Sequence, residues 1–422
     1  MRALPPLSDW LALEHRVAEI LTEQEIHGWY FDESKGQQLE SHLRREMEET
    51  AAILRGQFPF VGGKMFTPKR NNKSTGYIEG SESQRLIEFN PTSRDHIAWI
   101  LQNRLKITLT QKTTTGKLII DEITLKEIDH PFCKLCAKAL DLKKKLGMIS
   151  QGVNAWLKLC TTSSRLHHHC SVSTNTFRCA HRKPNLAQVP AEEKFRELFR
   201  ASPNKVMVGA DLSGIELRML AHYLGRYDGG RYADILLNDD IHQVNANKIG
   251  ITRRLVKTVT YAFLYGAGNL KLGLSYDNSL TPAKASKKGQ EIRKAYVEAI
   301  DGLAELLAAV NTKAKQGYLT ALDKRKVLID SPHKALNYLL QCGAGVVAKR
   351  WMVIANDACK NHIHTKQLAF VHDELQYETN PDGAKILMSV LEESARLAGE
   401  YYNLRCPIAA EAKQGLTWAD VH

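Results

Sequence analysis

No apolar run in the 422 residues reaches the ~18 that a membrane-crossing helix needs, which excludes a helical membrane span and leaves a soluble protein as the expectation. The eight cysteines are scattered through a long chain and nothing reads as a secretory signal, so a disulfide framework is not indicated and the reducing cytosol is the expected compartment. No internal repeat is apparent. Acidic residues are the minority charge. Lys and Arg outnumber Asp and Glu by 58 to 46, giving a formal charge of +12 and a pI near 9.2, a balance that attracts a polyanion such as nucleic acid. The length allows roughly two to four domains of ordinary size.

From Trp10 to about Leu54 the pattern is helical, with Leu11, Val17, Ile20 and Leu21 among many charges and a break at Gly28 to Asp32. Phe58 to Ser83 is different. There Gly62, Gly63, Pro68, Gly76 and Gly80 share the segment with Lys64, Lys69, Arg70 and Lys73, which reads as a mobile basic loop. Helical texture returns at Ser93 and from Ile128 to Leu159, where Lys143 to Lys145 read as a solvated helix face. From Leu166 short strands are expected, then a compact apolar strand at Lys205 to Ala210 running into Asp211 and a helix from Ile215 to Leu224. Asp240 to Tyr265 and Pro282 to Ala314 read as helical, divided by Gly266-Ala267-Gly268. Gln367 to Val371 and Leu375 to Glu378 read as the arms of a hairpin whose turn carries His372, Asp373 and Glu374.

Alone, Asp211 is a reasonable helix cap and Asp373 an ordinary turn residue. As a pair at the ends of sheet strands, they become a candidate for holding two divalent ions roughly 4 Å apart, one activating a hydroxyl and the other stabilising a departing pyrophosphate oxygen. Mg2+ suits such a site because it binds few carboxylates and takes phosphate oxygens as its other ligands. Arg253, Lys257, Tyr261 and Tyr265 recur every fourth residue, so on a helix each step drifts only about 40° and climbs about 6 Å. Either this is an amphipathic helix with a basic face, or it offers two cations to a triphosphate and two rings to sugar and base. Arg clamps phosphate oxygens, whereas Lys is a mobile point charge able to donate a proton to departing pyrophosphate.

Those three segments, in this order, resemble motifs A, B and C of family A DNA polymerases, and the local wording is most similar to the replicative enzymes of short-tailed bacteriophages. Phe177 to His181, Pro184 to Pro190, Asp240-Ile241-His242, Ser331-Pro332-His333 and Leu336 to Gln341 carry the same likeness, as does Gly415 to His422. The resemblance implies an α+β right-hand polymerase, with a thumb-like helical region over 1–165 that includes a shortened basic loop at 58–89. It further implies a first palm block at 166–224, fingers at 225–329, and a second palm block at 330–422 carrying the catalytic hairpin. It implies template-directed addition of dNTPs to a primer-template, with two Mg2+ ions, for phage genome replication in the cytoplasm of an infected host.

By the same resemblance Asp211, Asp373 and the backbone carbonyl of Leu212 would be the metal ligands, and Glu216 the steric gate that excludes a ribose 2′-hydroxyl. His242, Arg253 and Lys257 would hold the triphosphate, with Lys257 as general acid. Tyr261 would sense the 3′ position and Tyr265 would lie near the templating base. Arg178, Asn337 and Gln341 would meet the minor groove, and His372 and Glu374 would position the primer end.

Two departures from the family stand out. The thumb-like helices begin almost at the first residue, so no 3′-to-5′ exonuclease domain is expected in this chain: either the sequence is a piece of a longer protein, or the exonuclease is a separate polypeptide, or proofreading is absent, and a separate exonuclease or processivity factor is a candidate partner. The loop at 58–89 is short where a well-known phage relative captures thioredoxin, which argues against that partner. Its lysines are still expected to track duplex phosphates. Cys160, His167, His168, His169, Cys170, Cys179 and His181 crowd together, but their spacing does not meet the usual zinc rules, and Cys133-x-x-Cys136 lacks a redox context. A single-subunit RNA polymerase is disfavoured by Glu216, and a catalytically dead DNA-binding subunit by the retained aspartates and Lys257.

Overall fold

The run Val206–Leu212 forms a strand buried on both faces except at half-buried Val206 and exposed Asp211, which explains why it reads as continuous apolar sequence rather than as an alternation. It sits inside a four-stranded antiparallel sheet in the order Thr365–Val371, Glu374–Thr379, Val206–Leu212, Ala410–Gly415. Helix Ala384–Tyr401 packs on this sheet and against the long helix Ala335–Cys359, where the Trp351 indole donates to the Leu391 carbonyl at 2.8 Å. The computed structural model describes residues 8–107, 109, 116, 118–277, 280–360 and 364–422. The remainder of the expected thumb, fingers and second palm segments lies outside the described residues.

Two units divide the chain. Among the described residues, those within 1–32 and 160–422 form the larger and those within 33–159 the smaller. In the smaller, Phe132, Cys133, Cys136, Ala137 and Leu140 of helix Pro131–Leu146 close a core with Leu54, Ile97, Ile100 and Leu101. The glycine-rich segment expected as a loop carries a ribbon, Phe60–Phe66 against Ser83–Glu88, with a register shift between Gly62 and Met65. Its tip from Lys69 to Lys73 carries only the isolated bridge of Asn72 to Tyr77, with Lys69, Arg70 and Lys73 exposed.

In the larger unit, helix Asp9–His27 turns Leu13, Val17, Ile20 and Leu21 into the main core, and the Gly28 break leads into strand Trp29–Phe31. The helical stretch expected over Asp240 to Tyr265 is two helices, Ile241–Ile249 and Arg253–Leu264. Gly250 ends the first with φ +76°, and the Thr252 hydroxyl caps the second through the Leu255 amide. Pro282 to Ala314 is likewise split by Gly302 at φ +79° into Pro282–Ala299 and Leu303–Ala314. The fold class is α+β, as expected.

Candidate active site

Hydrogen bonding between distant strands brings the two aspartates together. Asp211, next to last in its strand, lies opposite Glu374 on one side and Glu411 on the other, and the Leu212 amide donates to the Asp373 carbonyl at 3.0 Å. Asp373 and His372 are the two loop residues between the paired Val371 and Glu374. Tight hairpins of this length favour Asn-Gly or Gly, yet His372 adopts φ +60°. A non-glycine residue held in the left-handed region at a polar hairpin tip is the kind of strain that clusters at functional sites.

The acid cluster shows in its electrostatics. Loss of solvent together with the neighbouring Glu374, Glu216 and Glu411 raises the Asp211 carboxyl to about 6. Asp373 rises to about 7 through burial and the charges of Asp211 and Glu216, partly offset by Arg178. Two carboxylates that resist being ionised together are a ready seat for a cation, and all their donors are hard oxygens.

Around them, Gly214 at φ +57° starts helix Ile215–Leu224 and sets Glu216 in its first turn. Glu216 accepts from Arg178 at 2.7 Å and from the Tyr265 hydroxyl at 3.1 Å, joining three residues singled out in the sequence. On helix Arg253–Leu264 the residues Val256, Val259, Thr260, Phe263 and Leu264 are buried. The opposite face leaves Arg253 and Lys257 exposed and Tyr261 partly covered, and Tyr265 follows directly after the helix, half exposed. His242 is buried with its ring 6.1 Å from that of Tyr261, while Asp240 caps the His242 helix and pairs with Arg253 at 2.5 Å.

Other residues sit differently. Asn337 is buried and donates to the Leu264 carbonyl at 2.7 Å, and Gln341 is partly covered one turn along the same helix. Glu374 sits beside Asp211 in register but is out of solvent. It is buried, its Oε1 accepting from the Trp418 indole at 2.5 Å and Gln376 at 2.6 Å, with His422 Nδ1 3.3 Å from Oε2. These bonds overcome the burial that would raise it and hold its carboxyl low.

The sequence profile of DNA polymerase family A matches residues 70–420. The DNA-directed DNA polymerase of Enterobacteria phage T3 is 30% identical over 97% of this chain and 70% of its own length, and that of Escherichia phage T7 shows the same values. The chain belongs to DNA polymerase family A and is a DNA-directed DNA polymerase. A solved structure described as the POL domain of Pol1 from M. smegmatis in complex with DNA primer-template and dNTP superposes with a TM-score of 0.79 at 22% identity, covering 97% of this chain and 70% of that one. It shares the fold.

In this polymerase, sequence reasoning missed Glu411 and, although Gly415 to His422 belongs to the family likeness, gave no role to Trp418 or His422. Glu411 sits in an alternating edge strand with no motif around it. The involvement of Trp418 and His422 depends on the chain end folding back onto Glu374, which no local pattern announces.

Proposed function

We propose that this polymerase extends a DNA primer by template-directed addition of dNTPs, with two Mg2+ ions held by Asp211, Asp373 and the Leu212 carbonyl, in phage genome replication. The observation that carries the reading is the junction of Asp211 and Asp373, two carboxylates whose charges oppose one another at the end of a sheet. Bound there, the metal supplies Lewis-acid activation of the primer hydroxyl and charge stabilisation at the departing pyrophosphate.

The chain's own residues supply the rest. Arg253 and Lys257, exposed on one helix face, hold the triphosphate with His242, and the Lys257 ammonium donates a proton to the leaving pyrophosphate oxygen. Tyr261 lies against the sugar near its 3′ position and Tyr265 near the templating base. Glu216, anchored by Arg178 and Tyr265, fills the space a ribose 2′-hydroxyl would need. Arg178 and Gln341 reach minor-groove acceptors common to all base pairs, and Asn337 keeps one amide hydrogen for the same groove. His372, at the strained tip beside Asp373, positions the primer end. In hand terms, the four-stranded sheet is the palm and the helices from 225 to 329 the fingers, whose closure brings Arg253 and Lys257 onto a correctly paired nucleotide. Among the described residues no helix is long and apolar enough to cross a membrane.

Primer extension tests the reading. Asp211→Ala and Asp373→Ala should each lower extension by on the order of 10³-fold or more, since metal-held charge is worth several kcal/mol, while primer-template affinity changes little. Near-normal turnover in either variant would overturn the assignment.

A further inference from the structure

The cysteine and histidine crowding set aside on spacing becomes a cluster in space. Cys170 and His181 are direct register partners across the antiparallel ribbon His169–Ser171 and Ala180–Arg182, so their side chains leave the same face. His168 lies two residues before Cys170 and shares that face by strand alternation, whereas His167 and His169 are engaged elsewhere, with the carbonyl and carboxylate of Glu25. One donor atom from each of His168, Cys170 and His181 lies within 4.8 Å of the others, the one group of this kind among the described residues.

The shell is closed. His168 has no exposed surface and His181 is 8% exposed. Gln24 of helix Asp9–His27 covers the ribbon, its amide nitrogen 3.0 Å from His168 Nε2 and 3.6 Å from Cys170 Sγ, and Cys170 Sγ lies 3.2 Å from His181 Nδ1. The ring nitrogens turned to these contacts are His168 Nε2 and His181 Nδ1, and the opposite nitrogens of both rings are buried without partners.

We propose that His168, Cys170 and His181 form a structural zinc site, separate from the catalytic carboxylates, with Gln24 completing a tetrahedral set. Two imidazole nitrogens and a thiolate are borderline-soft donors that favour Zn2+ over Mg2+, and a spread of a few ångströms needs only small side-chain shifts to reach bond lengths of about 2.0–2.3 Å. Binding releases the Cys170 thiol proton to solvent and leaves the metal redox state unchanged. Gln24 presents oxygen to the metal by an amide flip. Its present acceptor role toward Gln367 at 2.8 Å reverses if Gln367 flips too, which gives up the Gln367 contact with Met352 Sδ at 3.3 Å and turns the Tyr377 hydroxyl from donor to acceptor at the end of the relay. Zinc would then tie the ribbon to the amino-terminal helix directly behind the catalytic hairpin, since the His181 ring stands edge-on to His372 with centroids 5.9 Å apart.

The test uses the full chain, reduced, with Mg2+ in excess so that the hard catalytic site is filled. After exposure to stoichiometric Zn2+ and gel filtration, the wild-type chain should keep about one zinc, as should Cys133→Ser, which removes the unrelated C-x-x-C pair. Cys170→Ser and His168→Asn should retain almost none. Wild-type protein that keeps no zinc, or variants that keep it as well as wild type, would overturn the proposal. Should both variants fail to fold, Co2+ bound to the wild-type chain decides: a tetrahedral spectrum with a thiolate charge-transfer band supports the site, and an octahedral or sulfur-free spectrum refutes it.

Discussion

Glu216 shows how one side chain takes its role from its partners. On the sequence it is an acidic residue in a first helical turn, ordinarily a favourable interaction with the helix amides. In the fold it is the shared acceptor of Arg178 and Tyr265, so its carboxylate is fixed in direction as well as position. Glu216→Ala should therefore raise ribonucleotide incorporation by at least about tenfold relative to dNTPs, a change in binding discrimination of ~1.4 kcal/mol. Matched dNTP and rNTP extension assays check it, and unchanged sugar discrimination would remove Glu216 from that role.

Glu378 is a second residue whose weight comes from its neighbours. Burial would push its carboxyl up, but His27, at 2.7 Å, and the hydroxyl and amide of Ser202, at 2.7 and 2.8 Å, pull it down to about 2. A carboxyl lowered by folding adds stability that is present above its unfolded value and lost as pH falls through the folded one. Glu378→Gln should thus cost about 3 kcal/mol at pH 7, with the difference from wild type shrinking as pH falls from 4.5 towards 2. Chemical denaturation across that range measures it.

Among elements, the helix Asn269–Tyr276 and the helix Pro282–Ala299 approach so closely that no side chain fits at the crossing. A Cβ on Gly273 would overlap the Ala285 carbonyl, and one on Gly289 the Asn269 carbonyl. Alanine ordinarily stabilises a helix relative to glycine by up to about 1 kcal/mol. Here backbone contact reverses the sign, and Gly289→Ala should destabilise by roughly 1–3 kcal/mol, visible as a lowered Tm. Neither glycine reads as anything but a weak helix position in the sequence. The basic stripe on Arg253–Leu264 was legible because a 3.6-residue period is local, as was the helix starting at Ile215. The break at Gly250 was not, since Asp240 to Tyr265 keeps its periodicity across the turn.

For the molecule as a whole, the +12 charge sets how it meets a polyanion. Primer-template affinity should fall steeply with salt, with a log-log slope of about −5 for half a dozen phosphate contacts. Replacing the exposed Lys69, Arg70 and Lys73 together by alanine should flatten that slope by up to about 3 while leaving the rate of correctly primed addition nearly unchanged. Fluorescence anisotropy at graded salt measures the slope, and an unaltered one would show that the ribbon tip does not follow the backbone of DNA.

The sequence by itself determined what short-range periodicity and chemistry encode: the buried strand ending at Asp211, the hairpin carrying Asp373, the cationic and aromatic stripe, and the family they resemble. Only the tertiary structure decided which distant strands pair, because strand pairing joins residues with no shared local pattern. It set Asp211 against Glu374 and Glu411, turned Glu374 inward to Trp418, and closed His168, Cys170 and His181 around Gln24. It also buried Lys349 completely, with Glu14 at 2.7 and 2.8 Å as its counter-charge, a pair no periodicity reveals because its partner is supplied by another helix.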